Sequence, residues 1–215
     1  VERMELDHVV ITVVNRDDLS DGGANHYKRC VAAVHHRLPE VSIELLSSDL
    51  AGNRAALAHL LEDIPLAVFA HNVECVPRLD ELVRDPRASF DLSLQVLSHV
   101  RTLRPDLFTK SSLMVGLGET DHEVTDAMQR LRDVGTQLLT IGQYLAPGRT
   151  GERFLPVDRF VHPDQFAIWE QAAYELGFAG VAAGPLVRSS YRAGELLEQA
   201  RQERNAAELA PTNRG

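Results

Sequence analysis

The sequence predicts an α/β protein built on a parallel sheet. Short, β-branched apolar runs alternate with amphipathic stretches along the first two thirds of the chain. That alternation is typical of βα units, whose strands pair in parallel. The chain has 215 residues, of which 44% are hydrophobic and 25% charged, so it has the composition of a globular protein with a core of its own. Periodicity alone leaves a partial barrel and a doubly wound sheet as alternatives.

Five strands follow from the apolar runs. The first run, HVVITVV, is followed by the polar, glycine-containing loop NRDDLSDGGA, which is a typical strand boundary. The predicted strands are His8–Val14, Val41–Leu46, Pro65–Ala70, Ser111–Leu117 and Gln137–Tyr144.

Helices are predicted between these strands, where apolar residues recur at helical spacing. Two of them stop just before Pro39 and Pro105. Another begins at Thr120 with Glu123 three residues later, which is the pattern of a capping box. The predicted helices are Asn25–Leu38, Asn53–Leu61, Asp91–Leu103 and Thr120–Val134.

The βα rhythm stops after Tyr144. We predict a loop, a helix, a short apolar segment and a charged last helix, at Ala146–Pro163, Asp164–Leu176, Gly180–Val187 and Tyr191–Arg204. We assign residues 1–145 to a barrel, 146–204 to a C-terminal extension and 205–215 to a disordered tail.

Composition excludes several classes of protein. The net charge of −9 disfavours nucleic-acid binding through a basic surface. No apolar run approaches the length of a membrane span, and the charged start VERMELDHVV does not resemble a signal peptide, so we expect a cytoplasmic protein. Two cysteines, Cys30 and Cys75, are too few for a disulfide framework or an iron–sulfur cluster, and we interpret both as buried small hydrophobes.

Polar residues follow every predicted strand. Chemistry in parallel α/β folds takes place at the carboxyl ends of the strands, so these residues predict a site for a polar small molecule. The polar segments are NRDD, SSD, HNVE, GLGE and GQY. Three of them have structural alternatives: RDDL as a solvated turn, GLGE as a helix-entry loop, and HNVE as an Asx turn leading into a helix. Lys110, at the start of an apolar strand, either snorkels or needs a carboxylate partner or a ligand inside a barrel.

Five longer motifs occur in a fixed order. They are VVITVVNRDDLSDGGANH, HNVECVPRL, TKSSLMVGLGET, LLTIGQYLAPG and AAGPLVRSSYRA. Together they resemble lipoyl synthase, a radical S-adenosylmethionine (SAM) family, from about residue 5 to residue 200. The resemblance implies a partial parallel (β/α)6 barrel. Here we expect it to lack its first βα unit, so that the chain is an N-terminally truncated fragment.

The resemblance also implies cofactors, a reaction and a partner. The family uses two [4Fe–4S] clusters and SAM, and it inserts sulfur at C6 and C8 of an octanoyl group. One cluster cleaves SAM to a radical that abstracts hydrogen, and the auxiliary cluster donates sulfur. The implied substrate is an octanoylated lysine on the lipoyl-carrier domain of a 2-oxoacid dehydrogenase or on glycine cleavage H protein. No nucleic-acid or membrane partner is implied.

Site residues carry over from the resemblance by motif. The family's serine ligand to the auxiliary cluster lies in RSSY, so it is Ser189 or Ser190 here, with Arg188 beside the cluster. Strand-end geometry and analogy with radical SAM enzymes place SAM against eight residues. These are Asp17, Asp18, Asn72, Glu74, Met114, Gly116, Gly118 and Glu119.

The departures from the family are the missing cysteines. The family's CxxxCxxC and CxxxxCxxxxxC motifs are both absent from this sequence, so we expect no cluster in the chain as given and no activity of the chain alone. The alternatives are a non-catalytic remnant or module that binds the carrier domain, and another radical SAM sulfur-insertion enzyme. The RSSY motif argues against the latter.

Overall fold

A computed structural model describes residues 1–147 and 154–209, and it contains one six-stranded sheet. All neighbouring strands are parallel and follow the chain order from β1 to β6. The strands are β1 His8–Thr12, β2 Ser42–Leu46, β3 Val68–Ala70, β4 Phe108–Val115, β5 Leu138–Gln143 and β6 Gly180–Gly184. The sheet curls into a half-barrel, which confirms the predicted fold class.

Seven helices lie around the curled sheet within the described ranges. They are α1 Ala24–Arg37, α2 Arg54–Leu61, α3 Asp80–Val83, α4 Phe90–Leu103, α5 Asp121–Asp133, α6 Pro163–Glu175 and α7 Ala193–Leu209. None of the helices in the described part of the chain is long and apolar enough to cross a membrane. The capping box at the start of α5 is confirmed, because the Thr120 and Glu123 side chains each bond the other's backbone N–H.

Three elements differ from the sequence-based expectation. The apolar segment after residue 179 forms β6, which pairs with β5 and so joins the sheet. Strand β4 begins at Phe108, three residues earlier than expected, because Phe108, Thr109 and Lys110 pair with β3. Helix α7 continues five residues past Arg204, its expected last residue, into the predicted tail. Residues 210–215 and part of the predicted 146–163 loop lie outside the described ranges.

The core has an outer and an inner part. Outside the sheet, α1 and α2 pack on one half of the strands, and α4, α5 and α6 pack on the other around Phe90, Phe166 and Trp169. Inside, the first residues of the strands meet α7 in a separate apolar cluster. That cluster comprises Val68, Phe108, Leu138, Leu197 and Ala200. Helix α7 therefore closes the amino-terminal end of the half-barrel and leaves the carboxyl end to form a site.

Candidate active site at the carboxyl ends of the strands

A cavity of about 280 Å³ lies at the carboxyl ends of β3 to β6. Residues from four strand ends meet there, as the parallel topology requires. Its polar and chemically distinctive lining residues include Asn72, Glu74, Ser112, Met114, Tyr144 and Ser189. The structure thus brings together three of the eight predicted SAM contacts and one of the two candidate serine ligands.

The HNVE segment crosses from β3 to the end of β4. Glu74 bridges to Leu113 in parallel register, donating its N–H to the Ser112 carbonyl (3.1 Å) and accepting from the Met114 N–H (2.7 Å). Its φ of 66° lies in the left-handed region, so Glu74 does not belong to a helical turn. This backbone pairing extends the sheet and presents the side chains of Asn72 and Glu74 to the cavity.

The two polar side chains of this segment are poorly solvated. Burial raises the pKa of the Glu74 carboxyl, an effect partly offset by a hydrogen bond from Asn72 and by the charge of Arg84. The side-chain oxygen of Asn72 is buried without a hydrogen-bond partner. A buried acceptor without a donor costs folding free energy, so a ligand that donates a hydrogen bond to the Asn72 oxygen binds more tightly.

Beneath the cavity the interior of the half-barrel is polar. Side chains alternate along β4, so Lys110, Ser112 and Met114 share the inner face. The Thr140 hydroxyl donates to Ser112 Oγ (2.9 Å). One layer lower, Lys110 Nζ lies 2.9 and 3.1 Å from the two carboxylate oxygens of Glu44. Lys110 therefore has the carboxylate partner that the sequence required of a lysine inside a barrel.

The GLGE segment forms a turn that is closed by its own Glu119 side chain. The Glu119 carboxylate is buried and accepts the backbone N–H groups of Gly116 (2.7 Å) and Leu117 (2.9 Å). Gly116 and Gly118 have φ values of 93° and 101°, and a Cβ at Gly116 would overlap the Gln143 side chain. These residues shape the exit from β4 but do not line the cavity, so their assignment to SAM stays a prediction.

Asp17 and Asp18 also lie away from this cavity. Asp18 accepts two hydrogen bonds from Arg16, at 2.7 and 2.6 Å, and Asp17 pairs with Arg87. The Arg16 guanidinium lowers the pKa of the exposed Asp18 carboxyl. Asp17 lines a different cavity of about 430 Å³ at the ends of β1 and β2. Both carboxylates are therefore engaged by arginines in this structure, and their role with SAM remains a prediction.

The two serines of RSSY occupy different environments. Ser189 is half-buried and lines the cavity, whereas Ser190 is exposed and does not. Helix α7 begins at Ala193, so neither serine is its N-cap. The backbone of the preceding segment approaches β5 so closely that a Cβ at Gly142 would overlap the Val187 carbonyl.

The chain's own donors do not fit an iron–sulfur cluster. Cys75 is buried, as expected, and burial together with Asp80 raises the pKa of its thiol to about 12. Cys30 is only half-buried, and its Sγ lies 3.6 Å from His26 Nε2 on α1. Within the described ranges no three His, Cys, Asp or Glu side chains are grouped to hold a metal ion.

Sequence reasoning included Tyr144, through the GQY segment, but missed Ser112 and Thr140. Ser112 and Thr140 are separated by 28 positions and meet only because β4 and β5 are paired in register. Tyr144 follows β5, and its hydroxyl donates to the Leu155 carbonyl (2.9 Å), which ties the later loop to the cavity wall. The sequence signal that could have identified Ser112 is the alternation of side chains along β4, which places Ser112 on the same face as Lys110 and Met114.

The fold defines a class, the partial parallel α/β barrel, and here a cavity lies at its carboxyl face. A solved structure of HMG-CoA lyase from Bacillus subtilis superposes with a TM-score of 0.51 at 14% identity, covering 96% of this chain and 83% of that one. At this identity the likeness concerns the fold alone. No protein-family profile matches the chain.

Sequence comparison specifies the family. The chain is 51% identical to a mitochondrial lipoyl synthase of Branchiostoma floridae over 91% of its own length and 51% of the relative's. It is 49% identical to a lipoyl synthase of Ectopseudomonas mendocina, with 93% and 56% covered, and 48% identical to one of Thermus thermophilus, with 94% and 61% covered. The resemblance carried by the motifs is confirmed: the chain is related to the lipoyl synthases along nearly its whole length. It spans about half the length of the curated relatives it matches.

Proposed function

We propose that this chain is the SAM-binding part of a lipoyl synthase. The whole enzyme inserts two sulfur atoms, at C6 and C8, into an octanoyl group attached to a lysine of a lipoyl-carrier domain. The proposal is supported by the identity of about half of the aligned residues to lipoyl synthases and by the cavity at the carboxyl face of the half-barrel.

The observation that carries the SAM assignment is the pairing of Asn72 and Glu74 at the cavity. The buried Asn72 oxygen lacks a donor, and the Glu74 carboxyl is held in a poorly solvated position. The α-amino group and ribose hydroxyls of SAM supply donors, and its positive charges favour the ionised form of Glu74. Met114 contributes an apolar, polarisable surface for the adenine.

When bound, SAM supplies the radical chemistry of the family. The chain's own residues bind and orient it: Asn72 accepts a hydrogen bond, Glu74 provides a negative charge, and the Ser112–Thr140 pair forms a polar layer beneath. The two [4Fe–4S] clusters do not fit the donors of this chain, since its two cysteines cannot supply their thiolates. We therefore expect no sulfur insertion by the chain alone.

The first test is SAM binding to this chain by calorimetry. Asn72→Ala is expected to weaken binding about tenfold, because it removes an acceptor that is otherwise buried without a donor. Glu74→Gln is expected to weaken it similarly by removing the opposing charge. Asp106→Asn is the matched control, because Asp106 is an exposed carboxylate that pairs with Arg104 before β4 and does not line the cavity.

Equal affinities of all four proteins would contradict this placement of SAM, and the absence of binding to the unmodified chain would contradict the SAM assignment itself. The alternative of a module that only binds a carrier domain predicts carrier binding without SAM binding. The missing cluster cysteines are the observation that favours it.

The second test concerns the cluster-ligating serine in an active lipoyl synthase that contains this sequence. We expect Ser189→Ala to abolish lipoyl formation and to leave SAM cleavage measurable, because only Ser189 faces the cavity. Ser190→Ala is the matched control and should retain lipoyl formation, since Ser190 is exposed. The reverse result would assign the ligand to Ser190, and activity in both variants would contradict the cluster ligand in RSSY.

A further inference from the structure

His71, the first residue of HNVE, lies behind the cavity in a buried hydrogen-bonded chain. Its Nδ1 is 2.9 Å from the Ser47 carbonyl oxygen, and its Nε2 is 3.0 Å from Ser93 Oγ on α4. A carbonyl oxygen only accepts, so Nδ1 carries the proton and Nε2 accepts from the Ser93 hydroxyl. This is the tautomer of the neutral imidazole that the two partners favour.

Arg84 extends this series of hydrogen bonds on the other side of Ser93. Its Nη1 donates to Ser93 Oγ (3.1 Å), which leaves the Ser93 hydroxyl proton for His71. Arg84 is itself nearly enclosed and lies 3.8 Å from Asp80, whose other oxygen accepts the N–H of Phe90 (2.6 Å). The donors thus point in one direction from Arg84 to Ser47, and each bond in such a chain polarises the next.

The hydrogen bonds of His71 hold the start of the HNVE segment, whose backbone is strained at Glu74. The His71 N–H donates to the Lys110 carbonyl (3.0 Å), and Asn72 follows directly. Two residues later Glu74 has its left-handed backbone, which a non-glycine residue keeps only when its surroundings fix it. The Val73 N–H to Ser111 Oγ bond (3.2 Å) holds the middle of the segment, so His71 supplies its fixed beginning.

We propose that His71 is a positioning residue, held by Ser93 and Arg84, that fixes Asn72 and Glu74 in the geometry in which they face the cavity. His71 acts through its neighbours, since both nitrogens of its own ring are hydrogen-bonded, to Ser47 and to Ser93. The expected effect on SAM binding rests on the proposed function, whereas the expected effect on the backbone at Asn72 and Glu74 does not.

The experiment uses Ser93→Ala, which removes the hydroxyl that links His71 to Arg84. The substitution removes only one oxygen atom and alters no residue that lines the cavity. Amide hydrogen exchange is measured on the unmodified chain and on the variant. Exchange at Val73, Glu74 and Cys75 is expected to be about tenfold faster in the variant, with α5 unchanged. SAM affinity is expected to fall about fivefold. His71→Asn, which keeps a donor towards Ser47 but loses the Nε2 acceptor, should reproduce both effects.

Two controls separate positioning from general destabilisation. Ser98→Ala makes the same change at an exposed site on α4 and should have neither effect. Val31→Ala, on the buried face of α1, should lower the free energy of unfolding and leave exchange at Val73 to Cys75 slow relative to the rest of the chain. Uniformly faster exchange in Ser93→Ala, or unchanged exchange at these three amides, would overturn the proposal. Failure of the unmodified chain to bind SAM would overturn the proposed function only, because the exchange measurement still decides the role of His71.

Discussion

Lys110 and Glu44 are a buried ion pair in the middle of the half-barrel. Both side chains are 1% exposed, and His8 Nε2 lies 3.8 Å from the second Glu44 oxygen. Two charges buried away from water cost much desolvation energy, which their mutual attraction offsets only while both are present. The pair links β2 to β4 across β3 and so fixes the interior layer directly below the hydroxyl groups of the site.

The ion pair yields a stability prediction. Lys110→Met should lower the free energy of unfolding by about 3–5 kcal/mol, because it leaves Glu44 buried without a partner. Lys110→Met combined with Glu44→Leu should be more stable than the single variant. Urea unfolding of the three proteins measures the difference. A double variant less stable than Lys110→Met would show that the unpaired Glu44 carboxylate is not the cause of the loss.

His71 yields a prediction about pH. Burial lowers the pKa of its imidazole, with Arg84 adding to this effect and the Ser47 carbonyl and Asp49 opposing it. Near its ordinary pKa of about 6.5 the unfolded chain therefore binds a proton that the folded chain does not, and stability falls as the pH falls.

We expect the urea midpoint of the unmodified chain to decrease between about pH 7.5 and pH 5.5 more steeply than that of His71→Asn, which does not titrate there. Subtracting one curve of urea midpoint against pH from the other removes the contribution of the carboxylates that both proteins contain, including Glu74. Parallel curves would show that His71 is protonated equally in both states.

At the scale of elements, capping is the feature that the residues specify most directly. Asn53, Ser89 and Thr120 each accept a backbone N–H from the first turn of α2, α4 and α5, respectively. Such side chains satisfy donors that a helix leaves unpaired. Strand β3 is the opposite case, since it has only three residues and owes its position to pairing with β2 and β4.

The capping box of α5 can be tested by one substitution. Thr120→Ala should lower the free energy of unfolding by about 1 kcal/mol, because the Glu123 N–H loses its side-chain acceptor. Thr125→Ala is the matched control on the same helix, where an exposed threonine is replaced by a better helix former and little change is expected. Urea unfolding measures both, and equal effects would mean that the box contributes nothing specific.

At the scale of the whole molecule, the half-barrel has two edges. In the described part of the chain, β1 pairs only with β2 and β6 pairs only with β5. Helix α7 packs against β1, β5 and β6 and closes the lower end of the interior, but it cannot pair with strand backbones. An open parallel sheet therefore presents unpaired N–H and C=O groups at β1.

We expect this 215-residue chain to self-associate through β1. Static light scattering over a range of concentrations should show species larger than 23.8 kDa, because an exposed apolar strand edge is a template for pairing. A monomer at high concentration would contradict this expectation.

Iron content is a second property of the whole chain. After anaerobic reconstitution we expect no stably bound cluster, because two cysteines, one of them with a raised pKa, cannot supply the required thiolates. Iron analysis after gel filtration measures this, and about four irons per chain would refute it.

Local sequence determined the order and type of most elements of this protein. Alternating apolar runs, helix-ending prolines and the Thr120 cap act within a few residues of chain, so five strands and their helices were predictable. The family, too, followed from contiguous motifs. Tertiary structure decided which polar residues share the cavity. Asn72 and Ser189 meet there, whereas Asp18 and Glu119 are satisfied elsewhere by Arg16 and by backbone amides. The physical reason is that strand register and sheet curl bring together residues far apart in sequence, and local periodicity contains neither quantity.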